Sequence, residues 1–206
     1  MGYVKNGLGI AVMAAVILLG AASADTAWAG PPTDALKQTI DEVIKILEDP
    51  GLKKLDKKKD RRVRLEEVVG HRFNYAEMAK RTLGKEWAKR SPEEQKEFVA
   101  SFQTLLVNTY IGRIENYSGE KVQYLKETTD GDYAEVKTQI DTGKSIVPID
   151  YKMHNNSGEW RVYDVVVEGT GLVQNYREQF RRIINKESFE ALAQQLREKA
   201  KGIDAP

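Results

Sequence analysis

The sequence predicts an α+β fold, and three observations predict it. Apolar residues recur at helical spacing before residue 118 and again after residue 171. Between these regions the pattern changes to period two. The connections inside that middle block are short and built from turn-forming residues, which joins consecutive strands antiparallel. Helices, then a meander, then helices gives a four-stranded antiparallel sheet packed by helices on one face.

Residues 1–29 stand apart from this scheme. They hold 20 of the 84 apolar side chains of the 206-residue chain, and no charge occurs between Lys5 and Asp25. Lys5 as a charged start, residues 8–19 as an apolar core and Ala27-Trp28-Ala29 as an A-x-A site predict a cleaved secretory signal, with Ala24 as a second cleavage candidate. The remaining apolar count, 64 of 177 residues, contains no run approaching the ~20 residues of a spanning helix, which excludes a multi-span membrane protein. Residues 30–206 therefore read as one exported domain. The chain has no cysteine. It consequently lacks the residue that would carry a lipoprotein anchor, and its stability must come from its core without disulfides.

The first helix is expected from Thr33 as cap, with Leu36, Ile40, Val43, Ile44 and Leu47 on one face and Asp49-Pro50-Gly51 as its end. Residues 53–64 follow with eight basic residues against Asp56 and Asp60, a charge of +6 that leaves −5 for the rest of the chain. They fit a solvated loop running into a helix, or a docking patch for an anionic membrane or acidic partner. Nucleic acid is not expected as a partner of an exported protein. Ser91-Pro92-Glu93-Glu94 supplies an N-cap, a proline at the first helical position and a capping-box glutamate. The long helix it starts carries Phe98, Phe102, Leu105, Leu106, Tyr110, Ile114 and Tyr117, and Ser118-Gly119 stops it.

Strands are expected at 120–127, 133–141, 145–154 and 159–168. Asp130-Gly131, Thr142-Gly143-Lys144 and residues 155–158 supply the turns. The second strand alternates cleanly, with Ala134, Val136, Thr138 and Ile140 opposite Glu135, Lys137 and Gln139. The fourth does not: Trp160, Val162 and Val166 fall on one face and Tyr163, Val165 and Val167 on the other. Such a strand is covered on both faces, either by core on each side or by core on one and an apolar cavity on the other. Two helices close the chain. Leu172, Val173, Tyr176, Phe180, Ile183 and Ile184 mark the first, and Phe189, Leu192 and Leu196 the second, with Ser188 as cap.

Motifs for chemistry are weak. Gly143-Lys144-Ser145 resembles the end of a P-loop, but position 138 is Thr and the site is a hairpin turn. Gly169-Thr170-Gly171 lacks the third glycine of a dinucleotide fingerprint, where Gln174 stands. His71 and His154 have no metal-ligand spacing, so no metal or cofactor is expected. One enzymatic alternative remains: Asp164 or Asp150 with Tyr110 or Tyr163 as a carboxylate–tyrosine pair in a cavity, as in NTF2-like isomerases.

Several stretches together resemble the MlaC family, the toluene-tolerance periplasmic proteins. They are Phe73-Asn74-Tyr75-Ala76-Glu77-Met78-Ala79 with Leu83-Gly84 and Trp87, the Ser91 helix start with Phe102 and Tyr110, and Trp160-Arg161-Val162-Tyr163-Asp164-Val165-Val166-Val167-Glu168-Gly169 with Leu172-Val173 and Asn175-Tyr176-Arg177. Asn74 stands where the family usually has Asp, and Gly171 where it usually has Ser. The resemblance implies an NTF2/cystatin-like fold with an apolar cavity between sheet and helices, and a non-enzymatic periplasmic carrier. Its cargo would be a phospholipid, or a hopanoid as in an HpnM-type relative. It would exchange cargo with an inner-membrane ABC transporter complex and an outer-membrane lipoprotein–porin complex, maintaining outer-membrane lipid asymmetry. The cavity-lining residues expected on that basis are Phe102, Leu106, Tyr110, Ile149, Tyr151, Val165, Val167 and Tyr176. Arg177 would partner Asp164 or Glu168, or contact a head group.

Overall fold

A computed structural model describes residues 30–201; the expected export segment and its cleavage site lie outside these residues. Six α-helices and one sheet make up the described chain, in the order α1 (Pro31–Glu48), α2 (Lys58–Arg72), α3 (Tyr75–Leu83), α4 (Pro92–Glu115), β1 (Lys121–Asp130), β2 (Tyr133–Asp141), β3 (Ile146–Asn156), β4 (Glu159–Val167), β5 (Thr170–Gly171), α5 (Leu172–Lys186) and α6 (Phe189–Lys201). The α+β class is as expected. The sheet has five strands in sequential antiparallel order, not four. The additional strand is the two-residue β5. Glu168 and Gly169 both adopt positive φ (49° and 79°), which folds Thr170-Gly171 back onto Val166 and Val167. The segment between β4 and α5 thus forms the far side of a tight hairpin.

Two bulges explain what simple alternation in the strands could not. In β1, Tyr124 pairs with Thr138 and Lys126 with Lys137, so Leu125 is an extra residue. In β4, Lys152 of β3 faces Asp164 while Met153 faces Val162, so Tyr163 is the extra residue. A bulge reverses the side-chain phase beyond it. Trp160, Val162, Val165 and Val167 therefore share one face and one core cluster, while Tyr163 joins a different cluster beside α3. The expectation that Val165 and Val167 oppose Trp160 and Val162 is corrected by this single inserted residue.

The helix ends follow local chemistry. The α4 capping box forms as expected: the Glu94 backbone N–H donates to Ser91 Oγ at 3.2 Å, and the Ser91 N–H donates to Glu94 Oε2 at 2.7 Å. Ser188 accepts from Ala191 N–H at 3.1 Å at the start of α6. Asn74 caps α3 by accepting from Glu77 N–H at 3.0 Å. Thr33, however, does not cap α1, which begins two residues earlier. Its amide (2.8 Å) and hydroxyl (2.5 Å), with the Gly30 amide (3.2 Å), donate to Glu127 of β1. A carboxylate facing the exposed N–H groups of a helix start satisfies them as a cap would, and the helix dipole favours its charge there. The β1 bulge is what turns Glu127 onto this face, opposite Val136.

Three apolar clusters hold the elements together. The largest joins α3, α4, α5 and α6 around Phe98, Phe102, Tyr176 and Phe180. A second lies between α1 and the sheet, around Leu36, Val136, Met153 and Val162. A third fills the gap among α1, α2 and α4 with Leu47, Leu65 and Ile111. Phe73, which bridges to Val162 at the margin of β4, packs against both of the first two.

Candidate functional site

The covered face of the sheet is largely apolar, and its burial falls off from one end to the other. Its residues form rows across the strands, fixed by the register. The row Ala134–Met153–Val162 is fully buried. The next, Glu127–Val136–Tyr151–Val165, is buried at Val136 and Val165 but only partly at Tyr151. Beyond it, Thr138 is buried while Tyr124, Ile149 and Val167 beside it are partly open. The outermost row, Val122–Ile140–Val147, is partly open throughout. The face thus grades from closed core to unfilled apolar surface.

Helix α1 lies across this face. Leu36 is buried within the cluster, and Ile40, one turn on, packs against its margin. Ile44, a further turn along, is only partly buried. Apolar area left partly in contact with water retains transfer free energy, about 25 cal/mol per Å², that a bound apolar group could still gain. That is the physical property expected of a binding wall.

The eight residues expected to line one cavity divide between two places. Phe102, Leu106 and Tyr176 are buried in the helical cluster. There Phe102 meets Tyr176 edge-on at 5.4 Å and Phe180 at 5.7 Å, so both rings are core contacts. Tyr110 is partly buried at the edge of that cluster, with the Arg113 guanidinium 5.5 Å from its ring. Ile149, Tyr151 and Val167 are partly buried on the sheet, and Val165 is buried beside them. Two surface pockets among the described residues lie elsewhere. One of about 220 Å³ separates α4 from α6 near Phe98 and Phe189, and one of about 310 Å³ lies beside Trp160, Arg72 and Pro31.

One residue that sequence reasoning left out belongs to the partly open face. Tyr124 points its hydroxyl into the protein, where it is buried without a hydrogen-bond partner. Burial, with Asp41 and Tyr151 nearby, pushes its pKa well above that of an ordinary tyrosine. Burial alone raises Tyr151 to about 12. The sequence signal for Tyr124 was its place in phase with Val122 on the first strand. The bulge that follows hid the continuation of that phase.

The carboxylates considered for catalysis have structural partners. Asp164 is 8% exposed and accepts from the amides of Val165 (2.9 Å) and Val173 (3.0 Å). The second bond caps α5, whose own N-cap residue, Gly171, has no side chain to do so. Gly171 also lies close to that carboxylate: a Cβ there would sit 3.1 Å from Asp164 Oδ2, so the carboxylate would have to shift by a few tenths of an ångström. Asp150 faces Lys137 at 4.0 Å. Arg177 partners neither Asp164 nor Glu168: its Nε donates to the Arg81 carbonyl at 2.9 Å, tying α5 to the end of α3. The carbonyls of a helix's last turn lack partners within the helix, which is what draws the guanidinium there. His154 lies against the Tyr133 ring at 4.7 Å. Among the described residues, no group of three or more metal-ligating side chains converges, and no helix is long and apolar enough to cross a membrane.

Comparison with known proteins agrees with this architecture. The phospholipid-binding protein from Ralstonia solanacearum, solved in complex with a phospholipid, matches with a TM-score of 0.72 and 25% identity, over 82% of this chain and 97% of that one. The intermembrane phospholipid transport system binding protein MlaC of Haemophilus influenzae is 27% identical over 126 residues, 58% of this chain and 59% of that protein. The toluene tolerance protein ttg2D of Pseudomonas putida is 28% identical over 95 residues, 45% of this chain and 44% of that protein. These alignments span less than two thirds of either curated relative's length. The family model described as MlaC protein matches residues 37–198, more than three quarters of the sequence, and the chain therefore belongs to the MlaC family.

Proposed function

We propose that this protein is a periplasmic carrier that takes up a membrane lipid, a phospholipid in the first instance, and moves it between the inner and outer membranes. The observation that carries this reading is the sheet face that is apolar across four strands yet left partly open at its outer rows. Acyl chains would lie there, between the sheet and helix α1, in the manner of an NTF2/cystatin-like cavity. Ile149, Tyr151 and Val167 form the wall and Tyr124 adds a polar contact, while Tyr110 stays with the helical cluster. Phe102, Leu106, Val165 and Tyr176 serve as core behind it. Arg177 holds α3 to α5 through its bond to the Arg81 carbonyl.

The energetics make such a protein useful. Each methylene exposed to water costs about 0.8 kcal/mol, so two acyl chains crossing an aqueous gap bare would cost on the order of 20 kcal/mol. A protein with a dry apolar wall avoids most of that cost. It needs no nucleotide site, because direction comes from partners of different lipid affinity: an inner-membrane ABC transporter complex on one side and an outer-membrane lipoprotein–porin complex on the other. Residues 1–29 would export the chain, leaving residues 30–206 as a single lipid-binding domain. An isomerase-like activity is disfavoured, because Asp164 is buried and commits its Oδ1 to two backbone amides.

The test is purification of the exported protein without detergent, followed by mass spectrometry of its organic extract. The reading expects about one phospholipid per protein, at the one-site stoichiometry a single wall allows. A hopanoid in its place would change the cargo and keep the carrier. Protein that is empty, and that takes up no lipid from vesicles, overturns the reading.

A further inference from the structure

The basic stretch 53–64 is built into an ordered corner whose tip is apolar. After α1, Asp49 accepts from the Gly51 amide at 2.7 Å through its side chain, and from the Leu52 and Lys53 amides at 3.1 Å through its carbonyl. Leu52 is buried and anchors the corner. The chain then turns outward through a short 3₁₀ turn, Leu55–Lys57, and enters α2. Leu55 stands at that turn 94% exposed, the most exposed large apolar side chain among the described residues. Val63, on α2 one turn beyond Lys59, is 46% exposed.

The basic residues around Leu55 divide by role. Arg61 turns inward to Glu115 of α4 at 3.3 Å, and Arg62 pairs with Glu66 at 2.7 Å and hydrogen-bonds Asn108. Lys57 holds Asp60 at 2.9 Å. Lys53, Lys54, Lys58, Lys59 and Arg64 are exposed and have no acidic partner within ion-pair distance among the described residues. An exposed leucine within a cation-rich stretch, with Asp56 as its acidic neighbour, is therefore displayed at one corner of the protein.

We propose that this corner docks the protein on a lipid surface bearing anionic head groups, with Leu55 inserting among them and the lysines contacting phosphates. Two considerations favour a bilayer over an acidic protein. Protein–protein interfaces are depleted in lysine, whereas lysine stems lie along apolar lipid while their ammonium groups remain at the head groups. A single protruding leucine also needs no matching pocket in a fluid interface. The proposal goes beyond the carrier reading and does not depend on it, since a docking adaptor without cargo would need the same corner.

The experiment is co-sedimentation of the purified protein with vesicles of phosphatidylcholine, alone or mixed with phosphatidylglycerol. At about 0.1 M salt the protein partitions at least tenfold more onto the mixed vesicles, and raising the salt erases the difference. Replacing Lys53, Lys54, Lys58 and Lys59 together with Glu removes that binding, each lysine being worth about fivefold at an anionic surface. Leu55→Ser lowers it severalfold while leaving the salt dependence intact. All five side chains are exposed, so circular dichroism and the amount of co-purified lipid stay as in the parent. Equal partition onto neutral and anionic vesicles, or binding unchanged in both variants, overturns the proposal and assigns the corner to an acidic protein surface. An empty extract with normal pelleting refutes the carrier reading alone.

Discussion

Replacing Phe102 with Ala separates core from binding wall more sharply than any other single change. Phe102 is wholly buried, and its ring meets Phe98, Tyr176 and Phe180 at centroid distances of 6.2, 5.4 and 5.7 Å. Truncating a buried phenylalanine costs about 3–5 kcal/mol, from lost transfer free energy plus the cavity left behind. The two edge-on contacts, with Tyr176 and Phe180, place this site toward the upper part of that range, since such pairs add about 0.5–1.5 kcal/mol each beyond burial. Against a typical total of about 5–15 kcal/mol, the variant should lose a large share of its stability. Ile149→Ser is the comparison. Ile149 is only partly buried on the open end of the sheet, so its loss should cost about 1 kcal/mol. The assay is urea unfolding of each variant stripped of lipid, followed by lipid reloading and quantification. Phe102→Ala should shift the midpoint strongly and, where folded, still bind; Ile149→Ser should barely shift it and bind less. The reasoning is refuted if Phe102→Ala keeps the parent's midpoint and loses lipid, because the ring would then be wall.

Two further outcomes follow from the same structure. Glu127→Ala removes the acceptor of three hydrogen bonds at the start of α1, and should lower stability by about 1–2 kcal/mol, measured by denaturant unfolding, with early exchange of the amides of Gly30 and Thr33. Tyr75 and Tyr151 hold their protons to about pH 12 when folded, Tyr75 by burial with Glu66 adding to it and Tyr151 by burial, whereas an unfolded tyrosine titrates near pH 10. Their contribution is present in full below pH 10 and is lost as the pH rises towards 12, at up to about 2–3 kcal/mol each, so unfolding midpoints should fall steeply across that window while tyrosinate absorbance lags behind.

The parts of the fold legible in the sequence were those decided within a few residues. The capping box at Ser91, the Ser188 cap and the hairpin turns at Gly131 and Gly158 depend on neighbours along the chain, and they formed as expected. What stayed hidden depended on single inserted residues and on distant partners. Leu125 and Tyr163 carry no signal that marks them as bulges, yet each reverses the phase of everything after it. Glu127 could not be recognised as the cap of a helix 94 residues away, nor Arg177 as the partner of a carbonyl 96 residues away. The candidate site suffered most. Apolar periodicity marks which side chains turn inward but not how fully they are covered, and Phe102 and Ile149 look alike in sequence.

The division of the apolar residues into separate clusters bears on how a carrier could work at all. A protein that used its only core as its cargo site would be stable when loaded and would unravel on delivery, because bound ligand stabilises the folded state in proportion to its occupancy. Here the aromatic cluster of Phe98, Phe102, Tyr176 and Phe180 is built from helices, with Tyr163 of β4 packed against it and Phe73 shared with the sheet cluster. Stability can then reside in the helical layer while the outer rows of the sheet remain available to cargo. The wall need supply only the affinity that a receiving partner must overcome, and a partly open face supplies less than a sealed one. Weak enough to release and stable when empty are separate demands, and on this reading Phe73, touching both clusters, marks the border between the side chains that meet each of them.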